Sequence, residues 1–128
     1  MELVIEATKQ FEKELEAFSE NEKILITEKM NQYFKMLSAD KASFYRRLYQ
    51  VKKLNLINQY DSSLYTLKIN HKIRLILTID EDPIFAQTII TLFRVVKHSD
   101  LSKAYDSVAE SLYQDLITNQ EKVGISPV

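Results

Sequence analysis

Two basic side chains face each other across a predicted hairpin. Strand patterns LYTLKI and IRLILTI flank the turn Asn70-His71-Lys72, so counting outward pairs Ile69 with Ile73 and Lys68 with Arg74. Because side chains alternate between the two faces of a strand, the apolar pair lies on one face and the two cations on the other. Like charges placed opposite each other destabilise a sheet. We therefore expect an anion to bind there, and the hypothesis is a polyanion site for RNA.

Further cations should gather at the same end of the sheet. In an antiparallel pair the start of one strand lies beside the end of the next. Arg74, which begins its strand, should therefore lie near Arg94, which comes late in the following strand. Arginine suits phosphate because its planar fork makes paired, charge-assisted hydrogen bonds. The predicted substrate-binding residues are Lys68, His71, Lys72 and Lys97.

Cleavage of RNA is the chemistry that such a cluster suits. The 2′-oxygen attacks the adjacent phosphorus, and positioned cations stabilise the charge that builds on the phosphoryl oxygens. A general base must take the 2′ proton and an acid must protonate the leaving oxygen. His98 is the natural candidate because histidine exchanges protons near neutral pH, and His71 is a second. Tyr105, early in the last predicted helix, could reach back to the site. The predicted catalytic residues are Arg74, Arg94, His98 and Tyr105.

Each of these residues also has a structural explanation. Lys68 and Arg74 could extend past the sheet edge into water. Arg94 could pair with Asp100 or Asp80. A lone histidine after a strand is more often structural than catalytic, and a tyrosine in a helix more often packs. The cluster carries the hypothesis because a single geometry brings its members together.

The composition is that of one soluble domain. The chain has 128 residues and a net charge of −1, so nucleic-acid binding must come from a local patch. Residues 41–53 carry five basic and no acidic side chains, and form either such a patch or a solvated loop. Cysteine, metal-ligand spacing of the two histidines and a glycine-rich phosphate loop are all missing. No run reaches the roughly 18 apolar residues of a membrane span. Together with the missing cysteines, this leads us to expect a cytoplasmic protein. The missing metal-ligand spacing leads us to expect no metal or cofactor.

Hydrophobic periodicity and turn signals predict an α+β domain. After a strand at 2–7, a helical hairpin begins at Thr8, and its second helix begins at Ser19 with capping-box spacing to Glu22. Further segments are strands at 64–69, 73–79 and 88–96, a helix at 99–117, strand or loop at 48–54, and loop at 55–63. Strands joined by short turns are antiparallel. The predicted fold is an N-terminal helical hairpin packed on a small antiparallel sheet, with a C-terminal helix, in one domain at 1–118 with a flexible tail at 119–128.

The segment from Leu64 to Tyr105 carries a family resemblance. Its runs LYTLKINHKIRLILTID and TIITLFRVVKHSDLSKAY resemble the RelE/ParE superfamily of bacterial toxin–antitoxin toxins, especially RelE- and HigB-like members. The resemblance implies a small curved sheet against two helices and a metal-independent endoribonuclease that cuts mRNA in the ribosomal A site. It also implies an antitoxin partner that binds the toxin in a hetero-oligomer and masks its site.

The resemblance extends to single residues. Lys68 and Arg74 match the family's basic hairpin pair, and Arg94 matches a frequent basic position on the last strand. His98 and Tyr105 match the histidine and tyrosine that serve acid–base or base-stacking roles near the C-terminal end. Two other functions stay open. Members of the same superfamily inhibit DNA gyrase without this catalytic set, and a non-catalytic relative would only bind a partner protein.

Overall fold

The computed structural model of the chain describes residues 2–50 and 64–124, with the side chains of the last helix described as far as Leu112. Its elements are β1 (Glu2–Ala7), α1 (Lys9–Ala17), α2 (Glu20–Ala39), α3 (Lys41–Tyr45), β2 (Leu64–Lys68), β3 (Ile73–Asp82), β4 (Gln87–Lys97), a 3-10 turn (His98–Asp100) and α4 (Leu101–Gly124). The strand predicted at 2–7 is confirmed. The fold description that begins with a helical hairpin is therefore wrong, because β1 precedes the two helices.

The sheet is mixed, whereas the sequence predicted an antiparallel one. The strand order is β1-β4-β3-β2, and β3 is antiparallel to both β2 and β4. β1 instead runs parallel to β4, from Glu2 opposite Gln87 to Ala7 opposite Leu92. The rule for short turns does not apply to this pair, because at least α1–α3, β2 and β3 of the described elements separate β1 from β4 along the chain. That long connection lets the chain return in the same direction.

The first two helices begin at the predicted capping residues. The Thr8 hydroxyl accepts a hydrogen bond from Phe11 N at 3.1 Å and donates one to Phe93 O at 3.0 Å, which fastens the start of α1 to β4. Ser19 and Glu22 form the predicted capping box at the start of α2. Ser19 Oγ accepts from Glu22 N at 3.2 Å, and Glu22 Oε1 accepts from Ser19 N at 3.3 Å. These bonds satisfy amides that a helix start leaves unpaired.

Helices cover both faces of the sheet. The core on the α1–α3 face includes Phe11, Ile26, Phe44, Leu75 and Leu77. The core under α4 includes Ile76, Val96, Leu101 and Tyr105. Neighbouring residues of β3 thus belong to opposite cores, as the pleat requires. The continuous apolar run of β3 agrees with a central strand that is buried on both faces.

A bulge in β4 changes its surroundings halfway along. Ile76 of β3 pairs with Arg94 while Leu77 pairs with Leu92, so Phe93 is an extra residue on β4. A bulge redirects side chains and increases the local twist of the strands. β1 ends at Ala7, opposite Leu92. Beyond the bulge, the β4 edge is therefore no longer covered by β1 and faces α1.

The turn between β3 and β4 lies at the other end of the sheet from the β2–β3 hairpin turn. Asp82 Oδ1 accepts hydrogen bonds from Ile84 N at 3.0 Å and Phe85 N at 3.3 Å. Ala86 has a φ of 51°, the left-handed region that a residue with a Cβ seldom occupies. Two large apolar side chains, Ile84 at 84% and Phe85 at 72%, are exposed on this turn.

The last helix is longer than the sequence predicted. The predicted helix ends at Ile117, and α4 continues to Gly124. The domain limits and the flexibility of the tail stay predictions, and the loop predicted at 55–63 lies outside the described residues. None of the helices in the described ranges has the length and apolar character needed to cross a membrane.

Replacing Thr8 by valine should lower the free energy of unfolding by about 2 kcal/mol. The change keeps the side-chain shape but removes both the helix cap and the bond to Phe93 O, each worth about 1 kcal/mol. Urea denaturation followed by circular dichroism measures the difference. Ser19→Ala is the matched control, because it removes a helix cap without a bond to the sheet. Equal losses in the two variants would contradict the role of Thr8 in fastening α1 to β4.

Candidate functional site

The β2–β3 hairpin has the register that the sequence predicts. Leu67 pairs with Leu75, and Lys68 pairs with Arg74. Ile69 N donates to Ile73 O at 3.0 Å across the turn. Lys68 is exposed and Arg74 is half-buried. The two cations therefore lie opposite each other on the α4 face, at the end of the sheet where β4 leaves it.

These two cations line a cavity with residues from three other parts of the chain. The cavity has a volume of about 350 Å³ and is called the cation cavity below. Its lining residues are Arg47, Tyr49, Thr66, Lys68, Arg74, His98 and Leu101. Four of them are basic when histidine is included, and none of the described lining residues is acidic. A cavity with this lining favours an anion, and its arginines suit a phosphate.

Arg74 is held in place by the hairpin itself. Its Nη1 donates to Asn70 O and also to Ile73 O, the latter at 3.1 Å. The Asn70 side chain in turn closes the hairpin, because Oδ1 accepts from Lys72 N and Ile73 N, each at 2.8 Å. Within the described ranges both bonds of Arg74 use Nη1. Nε and Nη2 are thus the donors with which the fork can meet a ligand in the cation cavity.

His98 connects the cation cavity with a second one. The second cavity also has a volume of about 350 Å³ and is called the turn cavity below. Its lining residues are Glu22, His71, Lys72, Ile73, Lys97, His98 and Ser99. The amide of His98 donates to Lys72 O at 2.6 Å, which ties the chain leaving β4 to the hairpin turn. Both histidines of the chain therefore line one cavity, and His98 also lines the cavity that contains Arg74.

Arg94 does not join this cluster. It makes a two-pronged ion pair with Glu14 of α1, through Nε to Oε1 at 2.8 Å and Nη2 to Oε2 at 2.9 Å. Glu14 Oε1 also accepts from Val95 N at 3.3 Å, on the β4 edge that β1 leaves uncovered. The partner suggested by the sequence, Asp100 or Asp80, is wrong. The bulge and the docking of α1 bring Glu14 to Arg94 instead. The catalytic role predicted for Arg94 stays a prediction.

Tyr105 lies in the core under α4. Its side chain is 0% exposed, and its hydroxyl donates to Leu64 O at 2.9 Å. Neither the cation cavity nor the turn cavity has Tyr105 in its lining. The ring packs with Ile76 and Val96 between helix and sheet. The acid–base or stacking role predicted for Tyr105 stays a prediction.

Sequence reasoning did not assign several lining residues to the site, among them Arg47, Tyr49 and Glu22. Arg47 belongs to the basic segment 41–53, which is the signal that could have identified it. Tyr49 lies in the same segment, but its exact position depends on an isolated β-bridge to Thr66, which no pattern in the sequence marks. Glu22 was identified only as a capping residue, although it also lines the turn cavity.

Tyr33 is a buried tyrosine that bonds to the backbone of Lys68, next to the cation cavity. Tyr33 donates its hydroxyl to Lys68 O at 2.5 Å. Burial raises the pKa of Tyr33, while the nearby charges of Arg47 and Arg74 act in the opposite direction. Within the described ranges, no three acidic or histidine side chains are grouped so as to hold a metal ion.

Of the known proteins compared with this chain, solved structures are similar to it, and family models and curated sequences are not. No protein-family model and no curated protein sequence matches the chain. A YoeB dimer structure from Staphylococcus aureus matches at 22% identity with a TM-score of 0.47, covering 77% of this chain and 99% of that one. A YoeB/ParE toxin from Agrobacterium tumefaciens matches at 13% identity with a TM-score of 0.46, at the same two coverages. At these scores the function has to be argued from the residues of this chain.

Replacing Glu14 by glutamine should destabilise the protein by about 2 kcal/mol, the range for hydrogen bonds to a charged group. Glu14 and Arg94 are only 17% and 22% exposed, so water cannot fully replace the Glu14 carboxylate as the partner of the Arg94 charge. Urea denaturation measures the change. Lys23→Gln is the control: its partners Glu16 and Glu20 are 77% and 85% exposed, so water replaces the lost ion pairs and stability should stay unchanged. Equal stabilities of wild type and Glu14→Gln would contradict a structural role for the pair.

Proposed function

We propose that the protein is the toxin of a toxin–antitoxin system and that it cleaves ribosome-bound mRNA without a metal ion. The observation that carries the proposal is the cation cavity, where Arg47, Lys68, Arg74 and His98 converge with no described carboxylate among them. The chain as a whole has a net charge of −1. A cavity this basic in a slightly acidic protein supports a specific anionic ligand.

Arg74 and Lys68 bind the scissile phosphate in this proposal. Arg74 is already fixed by two backbone carbonyls, so little side-chain freedom is lost when it meets the ligand. During cleavage the 2′-oxygen forms a bond to phosphorus while the bond to the 5′-oxygen breaks, which leaves a cyclic phosphate and a free 5′-hydroxyl. Charge builds on the phosphoryl oxygens, and a guanidinium held beside them stabilises the transition state.

His98 and His71 are the groups proposed to move protons. They line the turn cavity together, and His98 also borders the phosphate-binding residues of the cation cavity. One imidazole takes the proton from the 2′-hydroxyl, and the other gives a proton to the departing 5′-oxygen. Lys72 and Lys97 line the same cavity and would bind flanking phosphates. Arg94 and Tyr105 are left out of this mechanism, because Glu14 and the α4 core already engage them.

An acidic antitoxin is the proposed protein partner, and the cytoplasm, where mRNA is translated, is the proposed location. The charge of the cation cavity supports this partner, since an acidic segment laid across it would neutralise Lys68 and Arg74. Such a segment would also exclude RNA by competition for the same donors. The resulting complex is a toxin–antitoxin hetero-oligomer.

Replacing Arg74 by alanine should abolish growth arrest when the protein is expressed in bacteria. The change removes the fork proposed to stabilise the transition state, and loss of such a group lowers turnover by about 100-fold or more. Mapping of mRNA 5′ ends measures the effect directly. The wild type should produce new ends at ribosome-occupied codons, and Arg74→Ala should not. Arg46→Ala is the control, because Arg46 bonds to Ser43 and does not line either cavity.

Three outcomes would contradict the nuclease. Full toxicity of Arg74→Ala would show that the activity does not depend on Arg74. Growth arrest with intact mRNA and gyrase-linked DNA breaks would indicate a gyrase inhibitor. Absence of arrest in the wild type would indicate a relative that only binds a partner protein. Thermal unfolding of Arg74→Ala has to be measured in parallel, since Arg74 also bonds to the hairpin carbonyls.

A further inference from the structure

We infer that Tyr49 and Arg47 form a nucleotide-binding subsite next to the reacting phosphate, where Tyr49 stacks on one base of single-stranded RNA and Arg47 binds a neighbouring phosphate. The inference rests on the proposed RNA function and extends it. The two residues hold and select the substrate and take no part in proton transfer.

Tyr49 is an exposed ring on a fixed backbone. Its side chain is 65% exposed. Two backbone hydrogen bonds join it to a single residue of β2: Tyr49 N donates to Thr66 O at 3.1 Å, and Thr66 N donates to Tyr49 O at 2.7 Å. The Thr66 hydroxyl adds a third bond to Tyr49 O at 3.2 Å. An aromatic ring held open to water in this way is preorganised to receive a flat ligand.

Arg47 is directed to the same cavity, whereas its neighbour Arg46 is not. The Arg46 Nη2 donates to Ser43 Oγ at 2.8 Å and remains beside α3. Arg47 lines the cation cavity with Tyr49, Lys68 and Arg74. Its charge is also felt by Tyr33, whose hydroxyl bonds to the Lys68 carbonyl. Two adjacent arginines thus have different surroundings, and only Arg47 is placed to contact a ligand bound at Lys68 and Arg74.

A ring beside cations is the combination with which proteins bind single-stranded nucleic acid. Stacking on an aromatic ring holds the base, and arginine or lysine follows the phosphates. Thr66 and Leu101 supply the uncharged part of the lining. Every base has a face that stacks, so the subsite accepts any base, with a preference for the larger purines because they cover more of the ring.

The test measures RNA binding separately from cleavage. A short single-stranded RNA with a 2′-O-methyl group at each position cannot be cut, and fluorescence anisotropy gives its dissociation constant with the full chain. Tyr49→Ala should weaken binding by about tenfold, the lower range for loss of one stacked base. Tyr49→Phe should bind as the wild type does, because the ring remains. Phe85→Ala is the matched control: it removes a ring that is 72% exposed on the β3–β4 turn, and it should leave binding unchanged.

The salt dependence distinguishes the two residues. Arg47→Ala should reduce the slope of log affinity against log salt concentration by about 0.7, the value for one phosphate contact with a single strand. Arg46→Ala should leave the slope unchanged, and so should Tyr49→Ala. A slope that changes equally in Arg46→Ala and Arg47→Ala would overturn the phosphate contact assigned to Arg47.

An abasic RNA completes the test. When every base is removed from the RNA by abasic substitution, wild type and Tyr49→Ala should bind equally. A tenfold difference with this abasic strand would show that Tyr49 acts through the fold and would overturn the stacking subsite. Equal binding of intact RNA by wild type and Tyr49→Ala would overturn it as well, while the proposed nuclease function stands. Failure of the wild type to bind this RNA would overturn the subsite, and the mapping of mRNA 5′ ends would decide separately on the nuclease.

Discussion

The register of the β2–β3 hairpin is the constraint on which the candidate site depends. Because side chains alternate along a strand, a shift by one residue would turn Lys68 and Arg74 into the core and turn Leu67 and Leu75 out of it. Asn70 fixes the register, since its side-chain oxygen accepts hydrogen bonds from the amides of Lys72 and Ile73. The asparagine side chain thus closes a turn that contains no glycine.

The same register places two like charges side by side, and the surrounding backbone makes this tolerable. Arg74 donates to two carbonyls of its own hairpin, whose partial negative charge offsets part of the repulsion from Lys68. Lys68 stays exposed, so water screens its charge. In the proposed function, an anion that enters the cation cavity relieves the remaining repulsion. The small loss of stability then lies at the position where the proposed ligand gains most.

The parts of the structure that local patterns determine could be predicted from the sequence. The hairpin, its paired residues and the caps at Thr8 and Ser19 depend on residues only a few positions apart. Parallel pairing of β1 could not be predicted, since its partner lies about 85 residues away and leaves no local signal. The partner of Arg94 depends on the β4 bulge, which no turn residue marks. Tyr49 enters the site through its bridge to Thr66, and the sequence left residues 48–54 open between strand and loop, so the pattern could not place this ring.

The long connection between β1 and β4 has a consequence for synthesis of the protein. The lining of the cation cavity extends from Arg47 to Leu101, and β1 has no partner until β4 has been made. Contacts between residues so distant along the chain form late in folding. A nascent chain that has not yet released β4 from the ribosomal tunnel has neither a closed sheet nor an assembled cation cavity. The ribosome that translates this protein therefore completes most of the chain before the proposed RNA site exists.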